Sequence, residues 1–478
     1  MSTKAKLSSD LKFLLLKLKN LLSRYRCGGI GMSTSTGKVW GIWAGSAIAF
    51  AALASGCVSY KAHTLSVPPP TPDLLNVIQA SQASAPDSEN LPSSLSLARA
   101  IGIALERHPE LAAANAQISA SQGNALQAGL YPNPLVGYIG EQIGSRGNAG
   151  GQQGPYISQE FVTGGKLEVS QSAALDALTG TQWQAITKRF ELEAKVRAAF
   201  YEVLTAEREV KENDAIVKIA NENLDASQKI EKAGRGGQPD VLRARVEYET
   251  NLNKLIAAKQ RFEASWPLLA NIMGKPGAKS VSLEGNLEHG RPDYQLATIQ
   301  ESVLSKNSEL MQAQAGISEA EKLITRSRLE NIPNLDLKVQ PLYDYTESVG
   351  QVSFEVGMRV PFWNKNQGNI QAAEAELGRR VSELQAVKLR LSDRVIGAHQ
   401  RFATARDQAT KFEKELLPQA REALRLTKAA FESGDARYDY TALLDAQRTL
   451  AQARLSYVQT LGELWKASAE IEGLLQKP

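Results

Sequence analysis

At 478 residues the chain exceeds the roughly 250–300 that a single hydrophobic core serves, so it must be divided, elongated or repeated. Aromatic residues make up only 6%, and Ala, Leu, Glu, Gln, Arg and Lys crowd everything after residue 165, the composition of long helices. The formal charge of +4 hides an asymmetry: residues 1–56 hold eight Lys or Arg against the single acid Asp10, and the rest carries 47 basic and 50 acidic residues, a net of −3 that leaves no basic surplus for a phosphate-binding face and excludes nucleic acid as a partner.

The basic opening precedes an apolar run, Val39 to Leu53, too short and too rich in small residues for a comfortable membrane span. It reads as a secretory signal ending in Leu53-Ala54-Ser55-Gly56-Cys57, which resembles a bacterial lipobox with Ala54 where Leu is usual. Residues 1–56 are therefore expected to be an N-terminal extension and lipoprotein signal, with normal signal length from Met32 and Cys27 lost upstream. Cys57 is expected to carry a covalent lipid, and with no second Cys beyond it no intrachain disulfide is expected. Val58, where Asp would favour retention in the inner membrane, favours outer-membrane sorting. Residues 57–93 form a tether rich in Pro, Ser and Ala that cannot bury a core.

Beyond the tether the chain repeats itself. Pro134 answers Pro333, Glu110-Leu111 answers Glu309-Leu310, Ile118 answers Ile317 and Ala173-Ala174 answers Ala372-Ala373, all in one register, which slips only near the end, where Gly234 answers Gly434 and Leu242 answers Leu444. The expected halves are 94–285 and 286–478, each reading helix, two strands, long helix, Gly-containing turn, helix. In the first half the strands are expected at about 135–143 and 155–162, around a Gly-rich stretch. In the second, at about 334–345 and 350–361, Val352, Phe354, Val356, Met358 and Val360 alternate with polar residues in the period-two pattern of a two-faced sheet. Taken alone, that alternation also fits a two-stranded ribbon on a soluble protein.

From Lys166 to about Lys232 there is no Pro and only one Gly, Gly180, which predicts a helix of roughly 100 Å. Val196, Val203, Val210, Val217 and Leu224 keep a heptad, with Ala199, Ala206, Asn213 and Ala220 three residues on, the small-residue seam of closely packed coiled helices. The matching helix of the second half, about 366–433, follows with Val395, Phe402, Ala409 and Leu416 and should kink at Pro418.

The stretches SQEFVTGGKL at 158–167, VPFWNKNQGNIQAAEAEL at 360–377, LPQAREAL at 417–424 and ALLDAQRTLAQARLSY at 442–457 resemble the TolC-like outer-membrane efflux factors, over essentially all of 94–476. GGK in one half and NKNQGNI in the other look like the heavy-metal, cobalt–zinc–cadmium branch. The resemblance implies a homotrimer with a twelve-stranded outer-membrane barrel continued by an α-helical periplasmic tunnel. It also implies coiled tips that meet a periplasmic adaptor and, through it, an inner-membrane pump. The fold class is thus mainly α with a small β part, and the function an exit duct of a tripartite efflux system. The alternatives are a drug or protein exporter of the same fold, a periplasmic adaptor, and a structural coiled-coil lipoprotein. Four strands per chain demand an oligomer on their own if they span lipid, because an open sheet edge there leaves backbone groups unpaired.

The residues that bear on mechanism sort as follows. Gly164-Gly165-Lys166 lacks the remaining Walker residues, having Glu160 and Leu167 where Gly and Ser or Thr belong, so these glycines, like Asn366-Gln367-Gly368, are expected to turn a strand into a helix. Gly234, Asp240 and Leu242, with Gly434, Asp435, Leu444 and Asp445, mark the two helix–helix turns where an adaptor is expected to dock. Val352, Phe354, Val356, Met358 and Val360 are expected to face lipid. His63, His108, His289 and His399 lie at no metal-ligand spacing, and Met273, Met311 and Met358 are scattered, so neither a metal site nor a cofactor is expected. His399 is kept as a candidate ring around a threefold axis. No nucleophile, base and orienting acid can be assembled, which predicts a protein that is not an enzyme.

Overall fold

A computed structural model of the chain describes residues 93–144, 150–234, 237–433, 437–438 and 440–476. The signal, Cys57, most of the tether, Gly434 and Asp435 lie outside the described residues. The described elements fall in one packed unit, Val67–Thr346 with Gln351–Pro478, apart from the turn residues Glu347–Gly350.

The chain opens with β1 (Ser94–Ser96), α1 (Leu97–Arg107) and α2 (Pro109–Ala128), then β2 (Leu135–Glu141) and β3 (Gln152–Phe161). It continues into α3 (Lys166–Lys232) and returns as α4 (Gln238–Ile272). After β4 (Ser282–Glu284) the order recurs as α5 (Leu296–Lys306), α6 (Ser308–Leu329), β5 (Leu335–Asp344), β6 (Val349–Met358) and α7 (Gln367–Lys411). A π turn (Phe412–Leu416) then leads to α8 (Leu417–Glu432), and α9 (Tyr440–Leu475) closes the chain. β2 ends two residues short of its expected 143 and β6 three short of 361, while β3 begins three residues earlier than expected. α3 has the bounds its sequence predicts.

Equivalent positions do equivalent work. His108 Nδ1 accepts from the Glu110 N–H at 3.3 Å and caps α2, with Pro109 as the first helical residue. Asn307, in the same place of the second half, caps α6 by accepting from the Glu309 N–H at 2.9 Å. Trp266 and Trp465 each donate an indole N–H at 2.8 Å, to the carbonyls of Ala278 and Leu287 in the segment joining the halves. That segment is held by β4, which pairs in parallel with β1, Leu95 opposite Leu283. Here lies the main core: Leu95, Phe200, Leu269, Met273, Leu391, Phe402, Leu461 and Leu464 are all buried. Tyr201 stacks on Trp465 with ring centroids 4.5 Å apart, and burial, then the charge of Glu472, pushes its hydroxyl up to about 12.

α3 is the spine, packing against α1, α2, α4, α6 and α9. Val196, Val203, Ala206, Asn213, Ala220 and Leu224 are buried, as the heptad predicts, but Ala199, Val210 and Val217 are only half-buried. The contact with α9 explains the drift. A Cβ at Gly462 would lie 2.7 Å from Thr205 and one at Gly473 2.7 Å from Ala194, so the two helices run antiparallel and touch at an eleven-residue spacing on both. Eleven residues make three turns of nearly undistorted helix, so this seam departs from the left-handed heptad path.

In the second half Val395, Phe402 and Ala409 are buried, whereas Leu416 is 40% exposed and Leu417 only 5%. The π turn accommodates one extra residue and advances the buried seam by one position. It lies immediately before Pro418, whose missing N–H and ring bulk are better tolerated in the wider turn.

Candidate functional site

The four long strands form one sheet in the order β2-β3-β5-β6. Directly opposed residues in an antiparallel pair project to the same face. Val136 opposes Ile157, which opposes Val339; Tyr138 opposes Pro155; Phe161 opposes Leu335 and Gln159 opposes Leu337. One face therefore gathers Val136, Tyr138, Ile157, Phe161, Leu335, Leu337, Val339 and Tyr343. β6 joins it in phase, because a Cβ at Gly357 would lie 4.0 Å from the Asp336 Cβ, which puts the odd positions of β6 with the even ones of β5. Val352, Phe354, Val356 and Met358 thus continue the apolar face, and all are exposed, Phe354 by 75%.

The opposite face is mainly polar: it carries Gln152, Ser158, Glu160, Asp336, Lys338, Gln340, Asp344, Ser353 and Glu355, with Leu135, Ile139 and Leu342 among them. It is laced together: Gln152 and Gln351 donate side-chain amides to Asp344 at 2.8 and 3.3 Å, and the Lys338 ammonium lies 4.8 Å over the Tyr156 ring. Gly154 must be Gly, since a Cβ there would collide with the Pro341 carbonyl where the β3–β5 ladder is interrupted by Pro155 and Pro341. Aromatic residues flank the apolar face. Tyr131, Phe161, Phe362 and Trp363 lie at the helical end, with Trp363 92% exposed, and Tyr343 and Tyr345 pack edge to face at the turn end. An exposed apolar band between two aromatic margins, backed by a polar face, has the chemistry of a membrane barrel wall.

At the helical end the strands must become helices within a few residues. Gly164 and Gly165 both take positive φ, 70° and 72°, and Asn366 does the same at 59° before α7. Gln367 is the first residue of α7; Gly368 already lies inside the helix and performs no turn, so the expectation for it is corrected. Lys166, named at first only as part of this junction, is 2% exposed, its ammonium 2.6 Å from Asn334 Oδ1 and 3.4 Å from Glu330. Asn334 in turn donates to Glu160 at 2.7 Å, and the Thr163 hydroxyl donates to the Pro333 carbonyl at 2.6 Å. The strand-to-helix turn of one half is thereby tied to the helix-to-strand turn of the other. Nothing in the local sequence signals this, because the partners are more than 160 residues apart.

At the opposite end of the helices, Gly234 takes φ 69° just beyond α3. Asp240 lies in the first turn of α4 and Leu242, 54% exposed, just after it. Asp445 is exposed and 3.3 Å from Arg448, whereas Leu444 is half-buried on α9 and lines a groove with Ile216, Ala220 and Asn251. Leu242 and Leu444 therefore stand in helices beside the turns and differ in accessibility. Asn223 donates to Gln447 at 2.6 Å and Arg448 pairs with Glu247 at 2.7 Å, joining the two helical hairpins near these ends. His399 donates from Nε2 to the Tyr294 carbonyl at 3.2 Å, within its own chain's packing. Among the described residues no group of three or more His, Cys, Asp or Glu is placed to hold a metal ion.

Residues 100–275 and 299–475 each match the outer membrane efflux protein family, one match per half. The chain belongs to the outer membrane efflux protein family. It is an outer-membrane efflux channel of TolC-like fold and not an enzyme. It is 24% identical over 381 residues to the cobalt-zinc-cadmium resistance protein CzcC of Cupriavidus metallidurans, covering 80% of this chain and 90% of that protein. Among solved structures, CusC aligns with a TM-score of 0.67 at 15% identity, over 79% of this chain and 91% of that one. The outer membrane protein VceC of Vibrio cholerae aligns with 0.66 at 15% identity, over 80% and 96%. These last two likenesses concern the fold.

Proposed function

We propose that this efflux channel is the exit duct of a tripartite system exporting heavy-metal cations, working as a homotrimer with a periplasmic adaptor and an inner-membrane pump. The observation that carries the reading is the sheet with an exposed apolar face, a polar reverse and two open edges, set on paired helical hairpins. Four strands are too few to close a barrel, and three copies supply twelve. The metal assignment is supported by the likeness to a cobalt-zinc-cadmium resistance protein along most of both chains. The apolar residues Val352, Phe354, Val356, Met358 and Val360 face lipid in this arrangement, and the polar reverse lines the duct.

The adaptor docks on the helical tips around Gly234, Asp240, Leu242 and Asp445, with Gly434 and Asp435 in the second turn. Leu444, turned toward α3, contributes by setting the tip rather than by contact. The chain selects no ion itself: the selecting step belongs to the energised pump. A lipid on Cys57 adds a second hold on the outer membrane beside the barrel, and mass spectrometry of the mature N-terminus tests it; an unmodified chain starting elsewhere would refute the anchor. The function is tested by deleting the gene and measuring susceptibility. Sensitivity to zinc, cobalt or cadmium with unchanged drug tolerance is expected. Drug sensitivity with unchanged metal tolerance would favour the alternative, a multidrug or protein-export factor of the same fold.

A further inference from the structure

We infer that β6 of one copy pairs antiparallel with β2 of a second copy in one definite register, Val360 opposite Tyr138 of the partner subunit and Phe362 opposite Val136 of the partner subunit. The inference rests on the homotrimer reading and adds to it the alignment of the strands that close the ring.

The argument runs through the internal repeat. β2 corresponds to β5 at an offset of 199, as do Pro134 and Pro333 before them. β3 corresponds to β6 at 201, two more than the 199 that Ala173 and Ala372 keep in the following helices, because the structure brings the left-handed helix cap Gly165 onto the left-handed cap Asn366. The sheet fixes the sum of the two offsets: Gly137 opposes Tyr156, and Asp336 and Gly357 adjoin between β5 and β6, so that 199 for the first strand leaves 201 for the second.

Within one chain β3 and β5 join the halves with Phe161 opposite Leu335, Gln159 opposite Leu337 and Ile157 opposite Val339. In a closed ring the same relation recurs between β6 and the β2 of the next copy. The offsets convert the three pairs to Phe362 with Val136, Val360 with Tyr138 and Met358 with Gly140, the second residue of each pair belonging to the partner subunit.

The open edges fit this register. β2 and β6 are the edge strands, and Val136, Tyr138, Val360 and Phe362 are all exposed. The pairing sets Val136 and Tyr138 on one face with Met358, Val360 and Phe362, while Leu135 and Ile139 of β2 lie on the other; a slip by one residue would part the β6 residues from Val136 and Tyr138. The end of β6 fits as well. β3 is ordered as a strand through Phe161, where β5 accompanies it, but β6 stops at Met358; Val360 and Phe362 carry its alternation onward in sequence, while in the single chain the Phe362 N–H donates to the Val360 carbonyl at 3.0 Å in a tight turn about Pro361, which the pairing opens. Those residues lack a neighbouring strand in the single chain, and the next copy's β2 supplies it. Asn364 then stands where Thr163 stands in the first half; Thr163 donates to the Pro333 carbonyl at 2.6 Å, and Asn364 is placed to donate to the carbonyl of Pro134 of the partner subunit.

The test is disulfide trapping in the full chain, in isolated outer membranes. The pairs Val360→Cys with Tyr138→Cys, and Phe362→Cys with Val136→Cys, are expected to give covalent trimers on oxidation. Slipped pairs, Val360→Cys with Val136→Cys and Val360→Cys with Gly140→Cys, place the Cα atoms about 7–8 Å apart or more, beyond disulfide reach, and should give none. Two independent pairs guard against one variant failing to insert. Trapping through a slipped pair, or through neither pair while native mass spectrometry of the unsubstituted protein finds three chains, would overturn the register and leave the trimer standing. A single-chain mass would overturn the trimer and the register together.

Discussion

Lys166 takes a charge into a place from which water is nearly excluded and meets Asn334 and Glu330 there. Removing the ammonium leaves Asn334 Oδ1 with only the longer bond from the Thr163 N–H at 3.4 Å and takes one partner from Glu330, so Lys166→Met should destabilise by about 1–3 kcal/mol. Lys188→Met, which removes a solvent-exposed pair with Glu191 at 2.9 Å, should cost less than about 1 kcal/mol. Thermal unfolding of the purified variants compares the two, and equal losses would mean that the junction is not pinned by this lysine. Burial raises the pKa of Glu330, but Arg326 and Lys166 outweigh it and hold the carboxyl below its ordinary 4.5. A depressed carboxyl means that the unfolded chain binds more protons in this window, so its stabilisation is present above about 4.5 and is lost as pH falls through the folded value. Half-exposure screens the effect, so a modest change is expected: Glu330→Gln should lower stability slightly at neutral pH and flatten the acid limb, so that the difference from the parent fades as pH falls below about 4.5. At this scale the sequence was least readable. Gly164 and Gly165 announced a turn by their chemistry, whereas Lys166 and the cap His108 owe their roles to residues that only the fold, or comparison with Asn307 in the other half, brings into view.

Among the elements, α3 was readable to its ends because its length and its lack of Pro leave few alternatives. The break between α7 and α8 was half-readable. Pro418 marks it, but the π turn before it moves the seam from Leu416 to Leu417, and a heptad count carried through the break goes wrong by one. Leu417→Ala should therefore cost about 2–5 kcal/mol and Leu416→Ala well under that, measured by denaturant unfolding. The reverse order would place the extra residue elsewhere. For the sheet, alternation put Val352, Phe354, Val356 and Met358 on one face, as the structure does, while in the proposed trimer the end of β6 also depends on the neighbouring copy, which a single chain does not contain. If the apolar face meets lipid, Phe354→Arg should impair assembly by about 2–4 kcal/mol near the bilayer midplane, and Ser353→Arg, on the polar face, should do so far less. The yield of heat-stable oligomer in outer membranes reports this, and equal tolerance of both would show that the sheet is not a barrel wall.

For the whole molecule, the duplication carries the account. It places Trp266 and Trp465 in matching corners of the core, gives two helical hairpins with their turns at the end away from the sheet, and leaves a sheet whose first and last strands are both open. Those open edges were implied by four alternating segments in the sequence, whereas the number of copies that closes them is set by strand tilt and curvature, which periodicity does not encode. A heterologous contact from β6 to β2 repeats without limit unless the rotation between copies closes, and in the proposed trimer three copies close it with twelve strands. The most direct measurement is native mass spectrometry of the protein released from outer membranes in mild detergent. Three chains in one particle, stable without added partners, is the predicted result, and a particle of one or two chains, which supplies four or eight strands in place of twelve, would contradict it.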